Sequence, residues 1–176
     1  AAALEYPTHL LQIQIVDDSD DETVQKAAVL IEQLRAQGVN IQHVRRPQRV
    51  GYKAGALEYA TSLATGDFIA IFDADFLPQP RFLRQTIPHF LTNPKLGMVQ
   101  TRWAHLNDLE TSFTGAQGII LDKHFALEQT VSYRAQMYPK FNGSGGVWRK
   151  TAVLAAGGWE HDTVCEALCL SVRAVL

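Results

Sequence analysis

At 176 residues the chain has room for one compact domain with a sizeable buried core. Apolar residues make up 47% and charged residues 19%, a globular composition that excludes disordered and collagen-like chains. The formal net charge of -2 excludes a broad nucleic-acid-binding surface, which needs a basic excess to neutralise phosphates.

Leu10 to Val16 reads as a buried strand ending in Asp17-Asp18-Ser19-Asp20. Ser19 and Glu22 have capping-box spacing, and Val24, Ala27, Ala28, Ile31 and Leu34 recur at helical spacing until Gly38 stops the helix. Ile41 to Val44 is a second strand, followed by Arg45, Arg46 and Arg49, a small basic cluster that reads first as a solvated turn, with facing a diphosphate as the alternative. Gly51 opens a helix to about Ala64, which Thr65-Gly66 ends. Phe68 to Phe72 is an apolar strand ending in Asp73-Ala74-Asp75. Pro78 and Pro80 start a further helix, closed by Asn93-Pro94. Gly97 to Trp103 reads as strand and Leu109 to about Tyr133 as helix. Then come the glycine-rich loop Asn142-Gly143-Ser144-Gly145-Gly146, a short helix around Lys150 to Ala156, and a last helix from Val164 to Val175.

Alternating strands and helices predict a mostly parallel central sheet with helices on both faces. Ligands bind such sheets at the carboxyl ends of the strands, where both acidic clusters fall. On extended backbone the two-residue spacing of Asp73 and Asp75 points both carboxylates to one side, a hard oxygen site for magnesium or manganese. The bland alternative for all four aspartates is helix capping. Asp17 and Asp18 can accept from a base imide or a ribose hydroxyl, and Lys53 can reach a phosphate or simply lie at the surface. Cys165 and Cys169 fall on one helical face as small apolar residues. They fit a reducing, cytosolic-side environment and are too few for a zinc site. Glu5 and Pro7 interrupt any signal-like start, and no run is long enough to span a bilayer, so the chain by itself is expected to be soluble.

The order of these motifs is more specific than any one of them. It runs Asp-Asp-Ser, Gly-Tyr-Lys-Ala-Gly-Ala-Leu, Thr-Gly-Asp-Phe-Ile-Ala-Ile-Phe-Asp-Ala-Asp, Phe-Asn-Gly-Ser-Gly-Gly-Val-Trp-Arg and Gly-Gly-Trp. The chain thereby resembles the family 2 inverting glycosyltransferases, which include cellulose synthase, glucomannan mannosyltransferase and ceramide glucosyltransferase. The resemblance runs from about Leu4 to the end and points to the polysaccharide-synthase-like, membrane-attached branch. It implies a Rossmann-like GT-A fold, with residues 1–176 forming a single, incomplete catalytic domain. It implies transfer of a sugar from a UDP- or GDP-sugar donor to a saccharide or lipid hydroxyl by metal-dependent inverting displacement. Asp17, Asp18, Lys53 and Asp73 would bind donor, and Asp73 and Asp75 would hold magnesium or manganese. Asn142, Gly143, Ser144, Gly145 and Trp159 would line the acceptor side. The parent protein would work at the cytoplasmic face of a bacterial inner membrane or a Golgi or plasma membrane. It would meet that membrane through segments outside this sequence.

Three departures from the pattern stand out. The family's opening apolar strand, with its Tyr-Asn-Glu-like turn, is missing, and the sequence ends before any Gln-x-x-Arg-Trp motif. The base aspartate expected in a Thr-Glu-Asp element falls on Ala167, within Cys165-Glu166-Ala167, so the chain is expected to be impaired. Glu166 and Asp162 are the substitute carboxylates nearby. Two rivals remain: a non-catalytic nucleotide-sugar-binding domain, and a haloacid-dehalogenase-like phosphatase with Asp73 as nucleophile. The second lacks the later acidic pair it needs.

Overall fold

The computed structural model describes every residue except Gln136, Tyr138, Pro139, Thr163, Val164 and Leu176. After a short 3-10 turn at Thr8–Leu10, the elements are β1 (Ile13–Val16), α1 (Thr23–Ala36), β2 (Ile41–Val44), α2 (Tyr52–Leu63), β3 (Phe68–Ile71), α3 (Phe82–Thr92), β4 (Met98–Gln100) and α4 (Ser112–Lys123). A π-helical segment (His124–Gln129) continues α4 into α5 (Thr130–Arg134), and β5 (Gly146–Arg149), α6 (Lys150–Ala155) and α7 (Glu166–Arg173) complete the chain. Val164, where the sequence starts its last helix, lies outside the described residues.

The sequence predicts one mostly parallel central sheet; among the described residues the strands instead form two sheets, β1-β2 and β3-β5-β4, and the second is antiparallel. Strands β1 and β2 pair in parallel, Ile13 opposite Ile41. Strand β5 lies between β3 and β4 and is antiparallel to both, so those two run parallel to each other without touching. The reading of residues 142–146 as a free loop conceals this strand. Gly145 is already part of the ladder: its N–H donates to the Ile71 carbonyl and its carbonyl accepts from Thr101 N–H. Val147-Trp148 is too short an apolar run to announce a strand by periodicity.

Period-two alternation then builds two apolar layers. Val147, fully buried, faces α3 with Phe82, Leu83, Ile87 and Phe90. Its neighbour Trp148 faces the other way, against Ile71, Ala54 of α2, Phe141, Val153 of α6, Trp159 and Leu170 of α7. Helices therefore cover both faces of this sheet, as predicted. A third cluster, Ile13, Ile31 and Ile41, seats α1 on β1 and β2.

Local differences have local causes. Helix α1 begins at Thr23 with no side-chain cap from Ser19; Asp21 instead accepts from Thr23 N–H. The predicted first strand is trimmed because Thr8–Leu10 form a 3-10 turn. Cys169 N–H donates to the Cys165 carbonyl, placing the two free thiols one helical turn apart. Among the described residues no helix is long and apolar enough to cross a membrane.

Candidate functional site

Asp17 continues the β1 ladder past its last residue, its N–H donating to the Val44 carbonyl. Its side chain is 7% exposed. One oxygen accepts from Ser19 N–H at 2.8 Å and the other lies 2.8 Å from His43 Nε2. Burial pushes this carboxyl up, but the hydrogen bonds from Ser19 and His43 outweigh it and hold it at about 2.

Asp18 is committed to Arg46. The guanidinium meets it through two nitrogens, Nη2 at 2.6 Å and Nε at 2.9 Å, and holds its carboxyl below the usual range. Nη1 and Nη2 also donate to the carbonyls of Val50 and Tyr52. The basic cluster is therefore not simply a solvated turn: the Arg46 side chain is 6% exposed. It fastens the turn where Gly51 and Tyr52 both take left-handed backbone, φ 75° and 45°, a costly conformation for tyrosine. Sequence reasoning missed Arg46 because nothing in the spacing of three nearby arginines says which one turns inward.

Lys53, in the first turn of α2, reaches across the sheet end. Its Nζ contacts Asp73 Oδ1 and donates to the Gly143 carbonyl at 3.1 Å. Asp73 N–H donates to the fully buried Ser144 hydroxyl at 2.9 Å. Gln100, at the end of β4, accepts from Asn142 N–H and donates to the carbonyls of Ser144 and Gly145. Gln100 opens the run Gln100-Thr101-Arg102-Trp103, but its part in holding the loop depends on partners more than forty residues away.

Asp73 and Asp75 do not sit on extended backbone. Strand β3 ends at Ile71, and Phe76 N–H donates to the Asp73 carbonyl, so both lie on a tight turn. Both are exposed, and among the described residues Asp75 makes no ion pair. No group of three His, Cys, Asp or Glu side chains converges among the described residues. Two exposed carboxylates on one turn fit magnesium or manganese, which use one or two carboxylates and complete their shell with phosphate and water.

The structure brings together Lys53, Asp73, Gly143 and Ser144. It sets Trp159 apart: this side chain is 3% exposed in the core, its indole N–H donating to Thr61 and its backbone N–H to Glu58. The acceptor-side position given to Trp159 therefore becomes a packing position. Ala167 stands beside the loop: a Cβ built on Gly143 would lie 4.0 Å from Ala167 Cβ and 3.6 Å from Lys53 Nζ. Glu166 is half-buried at the start of α7.

Comparison with known proteins places this geometry. Residues 1–148 match the family model of Glycosyl transferase family 2. Over the whole chain it is 42% identical to glucomannan 4-beta-mannosyltransferase 2 and, over 181 residues, 43% identical to glucomannan 4-beta-mannosyltransferase 9, both of Arabidopsis thaliana. It spans about a third, 34%, of the length of each. Among solved structures it is similar to the mannosyltransferase PcManGT of Pyrobaculum calidifontis in complex with GDP-Man and Mn2+, at TM-score 0.74 and 22% identity over 98% of this chain and 45% of that one. It is also similar to S. aureus TarS 1-349 in complex with UDP-GlcNAc, at TM-score 0.63 and 15% identity over 98% of this chain and 46% of that one. These likenesses show a GT-A fold. The motif order, the fold and the match over most of its length agree, and the chain belongs to glycosyl transferase family 2.

Proposed function

We propose that this chain is catalytic-domain sequence that binds a nucleotide-sugar, GDP-mannose above all. Its parent transfers the sugar to the growing end of a β-linked polysaccharide. The observation that carries the reading is the meeting of Lys53, Asp73 and the Asn142–Ser144 loop at the ends of β3 and β4. The identity to glucomannan mannosyltransferases supports mannose as the sugar. Family membership sets the phosphatase reading aside.

Asp17 would accept from the nucleobase or ribose. Lys53 would leave Asp73 to donate to the diphosphate. Asp73 and Asp75 would hold magnesium or manganese, and such an ion supplies neutralisation of the leaving diphosphate. The acceptor hydroxyl would attack the anomeric carbon as the bond to phosphate breaks, inverting the configuration, and its proton needs a base. Ala167 offers none, which favours a second reading: a domain that binds donor without turning it over.

A thermal-shift screen of GDP- and UDP-sugars, with manganese or with chelator, tests the proposal. Donor at about a hundred times its Kd would stabilise the fold by about 2.7 kcal/mol. No shift with any nucleotide-sugar would overturn it.

A further inference from the structure

His124 lies where α4 passes into the π-helical segment, outside the residues given a role above. Such segments are rare and concentrate at functional places in helices. Both of its ring nitrogens are engaged. Nδ1 lies 3.0 Å from Glu128 Oε2, and Nε2 lies 3.0 Å from Asn142 Nδ2 and 3.3 Å from Asn142 Oδ1. The direction of these bonds follows from Asn142. Gln129 Nε2 donates to Asn142 Oδ1 at 3.0 Å and to the Lys140 carbonyl at 2.8 Å. That fixes the Asn142 oxygen as acceptor and its nitrogen as donor, and the shorter of the two contacts, Nδ2 at 3.0 Å against Oδ1 at 3.3 Å, assigns His124 Nε2 as the acceptor. The proton of the neutral ring then sits on Nδ1 and points at the Glu128 carboxylate.

Asn142 is thereby held from three sides: by His124, by Gln129 and, through its backbone N–H, by Gln100 Oε1 at 2.8 Å. The next two residues supply the Gly143 carbonyl to Lys53 and the Ser144 hydroxyl to Asp73 N–H. We propose that His124, held as its Nδ1–H tautomer by Glu128, and Gln129 are positioning residues. They lock the Asn142–Ser144 loop and, through it, set the backbone of Asp73. Their consequence for donor binding rests on the function proposed above; the lock itself does not.

Nuclear magnetic resonance on the chain without ligand tests the lock. The nitrogen shifts of His124 should report Nδ1–H, the minor tautomer of free histidine. His124→Ala and Gln129→Ala should speed amide exchange at Asp73 and Asn142 by roughly five- to tenfold, the loss of about one hydrogen bond. Val147 in β5 should be unchanged. His124→Gln, whose side-chain oxygen replaces the accepting nitrogen, should restore protection. An Nε2–H tautomer would overturn the proposal. So would unchanged exchange at Asp73, equal acceleration at Val147, or failure of both alanine variants to fold. A parallel titration with GDP and manganese separates the two claims. If the unmodified chain binds neither, the function proposed above falls, while exchange at Asp73 still decides this one.

Discussion

Lys53 Nζ sits on Asp73 Oδ1, although twenty residues and a whole helix separate them in the chain. The first carboxylate of the Asp-x-Asp turn is thus neutralised internally when nothing is bound. A cation arriving alone must displace an ammonium, whereas a cation arriving with a diphosphate gives that ammonium a new partner. Lys53→Ala should therefore strengthen binding of manganese alone by roughly three- to fivefold, on the scale of a half-exposed ion pair. It should weaken binding of GDP with manganese. Calorimetry on both ligands reads the two signs, and parallel changes would refute the exchange of partners.

Arg46 carries more of the fold than its surroundings suggest. Removing it leaves the Asp18 carboxylate, 20% exposed, without its cation and frees the carbonyls of Val50 and Tyr52. Arg46→Ala should lower stability by about 3 kcal/mol. Arg46→Lys should recover little, because a single ammonium cannot make the forked contact. Urea denaturation of both variants gives the comparison, and a lysine variant as stable as the parent would show that charge alone matters.

Acid stability should depend on Asp17. Its carboxyl is held at about 2 in the fold against 3.8 in the open chain. A depressed acid stabilises the fold above its unfolded value and loses that contribution as pH falls toward the folded one. Asp17→Asn should therefore cost on the order of 2 kcal/mol at pH 6, with the difference from the parent shrinking between about pH 4 and 2. Thermal melts across that range would show a constant difference if His43 and Ser19 contributed nothing specific.

Gly55 reverses an ordinary helix rule. An alanine at an exposed helix position gains about 1 kcal/mol over glycine. Here an added Cβ would stand 2.1 Å from the Val50 carbonyl oxygen and 2.6 Å from Arg46 Nη1. Gly55→Ala should destabilise by at least about 1 kcal/mol, because the turn that Arg46 fastens would have to move. A raised melting temperature would contradict this.

Much of this arrangement was legible in the sequence. The edges of β2, the opening of α2 at Gly51 and the close of α6 at Gly157-Gly158 follow from periodicity and glycine punctuation. The position of Asp17 just past β1 and of Asp73 just past β3 follows from the alternation of elements. What stayed hidden depends on partners distant in the chain. Strand β5 is defined by what Ile71 and Gln100 offer to Gly146, and its own residues spell a glycine loop. Trp159 follows a Gly-Gly pair that suggests an exposed turn, yet Thr61 and Glu58, about a hundred residues earlier, draw it into the core. His124 is one histidine among six until Asn142 gives its ring a direction.

The acceptor hydroxyl is a poor nucleophile until a base takes its proton, and positioned bases contribute about 10²–10⁴-fold. The residue that packs beside Gly143, close to Lys53, is Ala167, which has no group to receive that proton. The chain should therefore bind donor but transfer sugar at a rate near background. Ala167→Asp would set a carboxylate next to the Lys53–Asp73 pair. It should raise transfer from GDP-mannose to short β-linked oligosaccharides by two to four orders of magnitude, the range about 10²–10⁴ set by general-base catalysis. Donor affinity should stay nearly constant, since the new group acts on the acceptor. The assay is chain extension with labelled donor and manganese, run beside Glu166→Gln in the parent sequence. Robust extension by the parent that Glu166→Gln abolishes would move the base to Glu166. Equal rates before and after Ala167→Asp would show that α7 does not present this position to the acceptor.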